Sequence, residues 1–229
     1  MPAYTTKHSF LRVRVTAIAV AGLLAALLAI APSGAAGHSS GGLPDAEIFA
    51  TNNTAVITDP ADPRLDNQLN GFARKVTRMI WQGGGVPRGS QLLDGVFFSS
   101  DLNQTTFERS RDFDVDHVTD AELASIAERV RVRFDQQSVL TFDYLPAVSD
   151  DVDGVELEVP GVTAGALRQG LLDDQVAREA LFGGSVTQDG RLLLVADLAN
   201  ADLARDFAAT IGGDVDRAIA RPGDIEFVG

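Results

Sequence analysis

The chain has 229 residues, carries a formal net charge of −13 and contains no cysteine. The absence of cysteine excludes a disulfide framework, so the fold must be held together by its core. The strong negative charge repels phosphate groups, so we expect neither nucleic acid nor an anionic membrane surface as a partner; a divalent cation or a basic protein is favoured instead.

Residues 1–36 have the order of features that is typical of a secretory signal peptide. A short basic start precedes an apolar run over residues 15–31, and small residues follow. The run is short and rich in alanine for a membrane-spanning helix, although an uncleaved anchor is the alternative. We predict cleavage after Ala35 or Ala36, a mature protein that is secreted or stays in the cell envelope, and no membrane contact after cleavage.

Residues 37–44 are predicted to be a flexible lead-in, and residues 45–146 have the pattern of a β-α-β-β-α-β unit. One helix is predicted from Asp62 to Ile80, where apolar residues recur at helical spacing. A second helix begins at Thr119 and Glu122, which form a capping box. The segments with strand character are 47–51, 92–98, 105–115 and 138–144.

An acidic segment, residues 147–154, is predicted to link this unit to a second unit of the same order over residues 155–229. Helices are predicted from Thr163 to Phe182 and after Asn200. The predicted strands are 155–159, 185–187, 191–195 and 224–228. We therefore predict an α+β protein with two tandem ferredoxin-like units, each with its own antiparallel sheet.

The open faces of the two predicted sheets are acidic. Since like charges repel, two such faces should not stack without cations between them. This pattern disfavours an enclosed apolar active site. The acidic residues on these faces are Glu108, Asp112 and Asp114 in the first unit and Glu156, Glu158 and Glu226 in the second.

The end of the second predicted helix carries the motif R-F-D-Q-Q-S-V-L over residues 133–140. With residues 93–97 and 108–111, it makes residues 45–146 resemble a family of small secreted bacterial proteins that is classed as a domain of unknown function. That family prefers R-F-G-Q-E-S-V-L, so Asp135 stands where the family has glycine. The resemblance implies export and a ferredoxin-like fold, and it supplies no catalytic residues.

Three aspartates alternate on one strand: Asp112, Asp114 and Asp116. Carboxylates are typical calcium ligands, so these residues are the candidate metal site and calcium is the candidate cofactor. Alternate residues of a straight strand are about 6.6–6.8 Å apart, so three in line cannot share one ion unless the strand bends. The alternative is a solvated strand face without a metal.

The sequence contains no recognisable catalytic constellation and no cofactor motif. His117 is the one histidine well inside the mature chain, and no serine lies in a G-x-S-x-G elbow. We therefore interpret the chain as an exported acidic protein that binds a ligand or an envelope component without catalysis. Two alternatives stay open: an exported hydrolase that uses paired carboxylates such as Asp112 and Asp114, and a secreted protease inhibitor or folding helper.

Overall fold

The computed structural model describes residues 44–181 and 183–229. The predicted signal peptide and residues 37–43 of the predicted lead-in lie outside this part. Within it, the strands are β1 (Ala46–Thr51), β2 (Val86–Ser99), β3 (Gln104–Asp116), β4 (Val139–Tyr144), β5 (Gly154–Pro160), β6 (Gly183–Thr187), β7 (Arg191–Asp197) and β8 (Ile219–Val228). The α-helices are α1 (Asn70–Gln82), α2 (Asp120–Phe134), α3 (Ala164–Asp173), α4 (Gln175–Leu181) and α5 (Ala201–Thr210). None of these helices is both long and apolar enough to cross a membrane.

The strands form one closed antiparallel barrel in the order β1-β3-β2-β6-β7-β5-β8-β4, and β4 closes it by pairing with β1. The two parts of the chain, residues 45–146 and 155–229, meet at two seams, where β2 pairs with β6 and β4 pairs with β8. The prediction of two tandem ferredoxin-like units with separate sheets is therefore wrong. Closure satisfies backbone groups on β2, β4, β6 and β8 that separate sheets would leave at their edges.

The outward faces of the strands are apolar and pack beneath the helices. Because side chains alternate along a strand, Ile48 and Phe113 point outward from β1 and β3 into one core with Ile126 of α2. Leu157 of β5 lies in a second core with Leu167 of α3. The helices thus cover the outside of the barrel, and the other face of each strand points into its interior.

The capping box at the start of α2 is confirmed. Thr119 Oγ1 accepts a hydrogen bond from the Glu122 backbone N–H at 3.4 Å, and Glu122 Oε2 accepts one from the Thr119 backbone N–H at 3.0 Å. These two bonds satisfy backbone groups that a helix start leaves unpaired, which explains why this boundary is visible in the sequence.

The two other long predicted helices are interrupted. Residues 63–66 form only a 3-10 turn, and Leu69, in a left-handed conformation with a φ of 53°, separates that turn from α1. The predicted helix from Thr163 to Phe182 breaks at Asp174, whose Oδ1 accepts a hydrogen bond from the Ala177 backbone N–H at 2.9 Å. A side chain that caps a new helix in this way competes with continuation of the previous one.

The helix stop that the sequence suggests at Gly183 agrees with the end of α4 at Leu181, and Gly183 also begins strand β6. A Cβ atom at this position would lie 2.3 Å from the Val96 carbonyl oxygen of β2. Glycine is therefore required for β6 to approach β2 closely enough to form the seam.

Candidate functional site

The sequence suggested that the acidic strand faces are open to solvent. In the structure these faces line the interior of the barrel. Glu47, Asp112 and Glu156 are 3%, 1% and 0% exposed. Glu226 is the exception, because it is exposed and has the opposite strand parity to Arg221 and Ile225. Closure of the barrel therefore brings acidic residues of both parts of the chain together.

Two arginines from the second part of the chain compensate this charge. Arg221 of β8 donates to Glu156 Oε1 at 2.5 Å and lies 3.4 Å from Glu158 Oε2. Arg191 of β7 forms an ion pair with Glu158. Repulsion between the two acidic faces does not prevent closure, because these arginines lie on the same inward faces.

Tyr144 of β4 connects two of the buried acids. Its hydroxyl donates to Glu47 Oε1 at 2.6 Å and also contacts Glu156 Oε2. The Arg221 guanidinium lies 4.9 Å from the centre of the Tyr144 ring. A phenol has one proton to donate, so it cannot fully satisfy two carboxylates at the same time.

Burial shifts the protonation of this charged region. Burial, together with the charges of Asp112 and Glu156, raises the pKa of Glu47 well above its ordinary value. Burial and the neighbouring Asp114 raise the pKa of Asp112 as well. Burial alone would lower the pKa of Arg221, but its acidic neighbours, Glu156 first, leave that pKa raised. The arginine stays charged, while Glu47 and Asp112 resist ionisation unless a positive charge accompanies them.

The structure brings two of the three predicted metal ligands together and adds another residue. Glu47, Asp112 and Asp114 each offer one carboxylate oxygen, and these oxygens lie within 4.8 Å of one another. Asp116 has other partners: its Oδ2 is 3.1 Å from Arg88 Nε, and its Oδ1 accepts a hydrogen bond from the Asp45 backbone N–H at 3.2 Å. The predicted metal site of Asp112, Asp114 and Asp116 stays a prediction. In the structure Asp116 does not belong to the cluster that Asp112 and Asp114 form.

Glu47 was missed because its place depends on strand pairing. In the antiparallel register of β1 and β3, Glu47 lies directly opposite Asp114. A single strand presents carboxylates in a line, whereas two paired strands present them as a cluster. The available signal was the acidic residue in the otherwise apolar strand β1.

A cavity of about 560 Å³ is lined by inward-facing residues of several strands and by residues that lie outside the barrel. The loop that follows β1 and the last residues of β8 contribute to its lining. The inward-facing apolar side chains that line it are Phe49, Phe97, Leu140, Leu193, Val195, Ile225 and Phe227. The acidic faces disfavoured an enclosed apolar site, and closure of the barrel instead leaves a cavity that is open to solvent and has mostly apolar inward-facing side chains. The buried acid–arginine pairs of Glu156 and Glu158 lie outside its lining.

Glu108 and Ser110 provide carboxyl and hydroxyl groups on the β3 wall of this cavity. Burial raises the pKa of Glu108 to about 7, although a hydrogen bond with Ser110 acts in the opposite direction. A carboxyl group with this pKa exists in both protonation states near neutral pH. It can therefore donate or accept a hydrogen bond, which suits a binding site as well as proton transfer.

Leu93 and Phe142, both 0% exposed, mark the boundary between the two regions. On β2, Leu93 lies between Gln91, which donates to Asp112 Oδ2 at 2.9 Å, and Phe97 of the cavity. On β4, Phe142 lies between Tyr144 and Leu140. Neither Asp112 nor Asp114 is among the residues that line the cavity.

His117, considered as a candidate in the sequence, is also outside the cavity lining. Its backbone has a φ of 54°, and its N–H donates to Asp45 Oδ2 at 2.8 Å. The residue thus forms part of the turn between β3 and α2.

No family model matches the sequence, and no curated protein matches it either. Two solved structures align with the chain, each of a "putative monooxygenase". The protein from Lactobacillus acidophilus NCFM is 12% identical, with 81% of this chain and 96% of that chain covered, at a TM-score of 0.26. The protein from Fusobacterium nucleatum is 8% identical, with 81% and 94% covered, at a TM-score of 0.20. Similarities at this level support no conclusion about activity.

Proposed function

We propose that this protein binds a small, largely apolar molecule in the barrel cavity. The observation that carries the proposal is the cavity itself, which is about 560 Å³ in volume and has a largely apolar wall with a few polar groups, the Glu108 carboxyl among them. Sites for small molecules have volumes of about 300–1,000 Å³ and combine an apolar lining with a few polar groups. The cavity has both properties.

The rim of the cavity supports the same interpretation. Val56 and Phe227 line it and are 65% and 69% exposed. Apolar side chains grouped around the mouth of a cavity favour the entry of an apolar ligand, because binding removes them from water.

Glu108 indicates which polar group the ligand carries. Since the pKa of Glu108 is raised to about 7, the ionised form becomes common just above neutral pH and can accept a hydrogen bond. Ser110 beside it adds a hydroxyl. We therefore infer a ligand with an apolar body and a hydroxyl or amino group that Glu108 can bind.

Binding explains the geometry better than hydrolysis by paired carboxylates does. A hydrolase of that kind would need Asp112 and Asp114 to reach the substrate. Asp112 is 1% exposed, and neither residue lines the cavity.

Export of the protein is a further part of the proposal, supported by the signal-peptide pattern of residues 1–36. Mass spectrometry of the N-terminus after expression in a secreting host tests it, and a chain that still begins at Met1 or Pro2 would contradict cleavage.

Fluorescence titration with N-phenyl-1-naphthylamine, an apolar probe with one N–H donor, tests the binding proposal. We expect saturable binding that weakens about tenfold in V56D, since a charge at the rim opposes entry of an apolar molecule. The matched control is V132D, because Val132 of α2 is 64% exposed and lies outside the cavity lining. Absence of saturable binding, or equal loss in both variants, would show that the cavity is not the binding site.

A further inference from the structure

We propose that Glu47, Asp112 and Asp114 form a binding site for one divalent cation inside the barrel, separate from the cavity. One oxygen from each carboxylate lies within 4.8 Å of the other two. An ion that binds oxygen atoms at about 2.3–2.6 Å can bridge ligands up to about 5 Å apart. Three oxygens with this spacing lie within about 2.8 Å of a common point, so a single ion can contact all three carboxylates after a shift of a few tenths of an ångström.

Unsatisfied oxygens in the cluster independently indicate a missing ligand. Among the described residues, neither Glu47 Oε2 nor Asp112 Oδ1 has a hydrogen-bond partner, although both atoms are buried. The other oxygen of each group is occupied, by the Tyr144 hydroxyl in Glu47 and by the Gln91 amide in Asp112. A buried carboxylate oxygen without a partner is costly, and coordination to a cation removes that cost.

The nearby arginines already have partners. Arg221 pairs with Glu156 and Glu158, and Arg191 pairs with Glu158 and Asp189. A divalent cation would therefore supply the positive charge that Glu47 and Asp112 need beside them in order to ionise. Because all three proposed ligands are carboxylates, the site suits a cation that prefers oxygen, such as Ca²⁺, Mg²⁺ or Mn²⁺.

Two features of β2 and β3 give the ion space and access. Gly89 lies opposite Asp114, and a Cβ atom there would be 2.9 Å from Asp114 Oδ2. Glycine thus leaves room beside the carboxylate. Asp114 is partly exposed, whereas Glu47 and Asp112 are buried, so an ion can approach from the side of Asp114.

Titration of the purified protein with MnCl₂, followed by electron paramagnetic resonance of free Mn²⁺, tests the proposal. We expect one site per chain, with competition by Ca²⁺ or Mg²⁺. Affinity should fall at least about tenfold in E47Q and in D112N, since each variant replaces an anionic ligand by a neutral amide. Circular dichroism shows whether each variant retains the fold.

The control is D116N. Asp116 belongs to the same row of aspartates but pairs with Arg88, so this variant should bind Mn²⁺ as the wild type does. Failure of the wild type to bind Mn²⁺ at millimolar concentration would overturn the proposal. Unchanged binding in both E47Q and D112N would overturn it too, because the ion would then lie elsewhere on the acidic surface.

Discussion

The two regions of the barrel interior bury acidic side chains in different ways. In the charged region, Glu156 and Glu158 are compensated by Arg221 and Arg191. In the cavity, Glu108 has Ser110 as a hydrogen-bond partner, and its pKa is raised to about 7. The comparison shows that a carboxylate paired with an arginine can be buried without an uncompensated charge, whereas a carboxylate without a nearby cation is retained at a cost in stability, as expected for a binding residue.

The largest expected effect on stability is that of removing the Arg221 guanidinium from the charged region. R221A leaves Glu156, which is 0% exposed, without its ion pair. Loss of one partner of a buried pair costs about 3–5 kcal/mol, because the other charge stays buried. We expect the free energy of unfolding, measured by urea titration at pH 7.5, to fall by this amount.

R217A is the control for this change. Arg217 is 72% exposed and 3.8 Å from its partner Asp214, so its loss should change the free energy of unfolding by less than about 0.5 kcal/mol. Similar losses in the two variants would mean that burial of the ion pair contributes nothing, and the contrast between the two regions would disappear.

The second prediction concerns Glu108. Because its pKa in the folded protein is about 7, against an ordinary value of 4.5, the unfolded chain releases this proton at lower pH than the folded one. The wild type should therefore lose stability as the pH rises from about 4.5 to 7, by up to about 3 kcal/mol from this group. E108Q should lack this contribution, so the stability difference between the two proteins should change with pH over that range.

Urea titrations at several pH values between 4 and 8 measure this difference. E179Q serves as the control, since Glu179 is exposed on α4, and it should keep the pH dependence of the wild type. Parallel curves for the wild type and E108Q would contradict a shifted carboxyl group in the cavity.

The third and smallest prediction separates the regions by function. Y144F removes the hydroxyl that contacts Glu47 and Glu156. Hydrogen bonds to charged groups contribute about 1.5–3 kcal/mol, so we expect a loss of about 2 kcal/mol in the free energy of unfolding. Affinity for N-phenyl-1-naphthylamine should stay unchanged, because Tyr144 does not line the cavity. Weaker probe binding in folded Y144F would show that the two regions are coupled.

Local signals in the sequence predicted most helices and strands. They failed where contacts between distant residues determine the structure. The capping box of α2 was visible because both of its residues lie within one helical turn. The break at Asp174 was not visible in the sequence, because an aspartate inside an apolar helical pattern can either stay in the helix or cap a new one. Gly183 suggested a helix stop, which agrees with the end of α4 at Leu181, but the close approach of β6 to β2 that also requires this glycine depends on a distant strand.

The candidate site shows the same limit. Alternation on β3 indicated that Asp112 and Asp114 share a face, and the structure agrees. Glu47 joins these two aspartates because of the register of β1 with β3. The cavity excludes the aspartates because Leu93 and Phe142 lie between the two regions. No periodicity within one strand contains this information.

The sequence by itself determined the charge of the protein, the absence of disulfides, the alternation of each strand and the predicted export segment. Only the tertiary structure decided that the acidic faces point into a barrel, because that outcome depends on pairing between β2 and β6 and between β4 and β8. An acidic strand face is stable in water, and it is also stable in an interior that supplies arginines. Arg191 and Arg221 lie far along the chain from Asp112, so their compensation of the buried acids became apparent only when the strands closed.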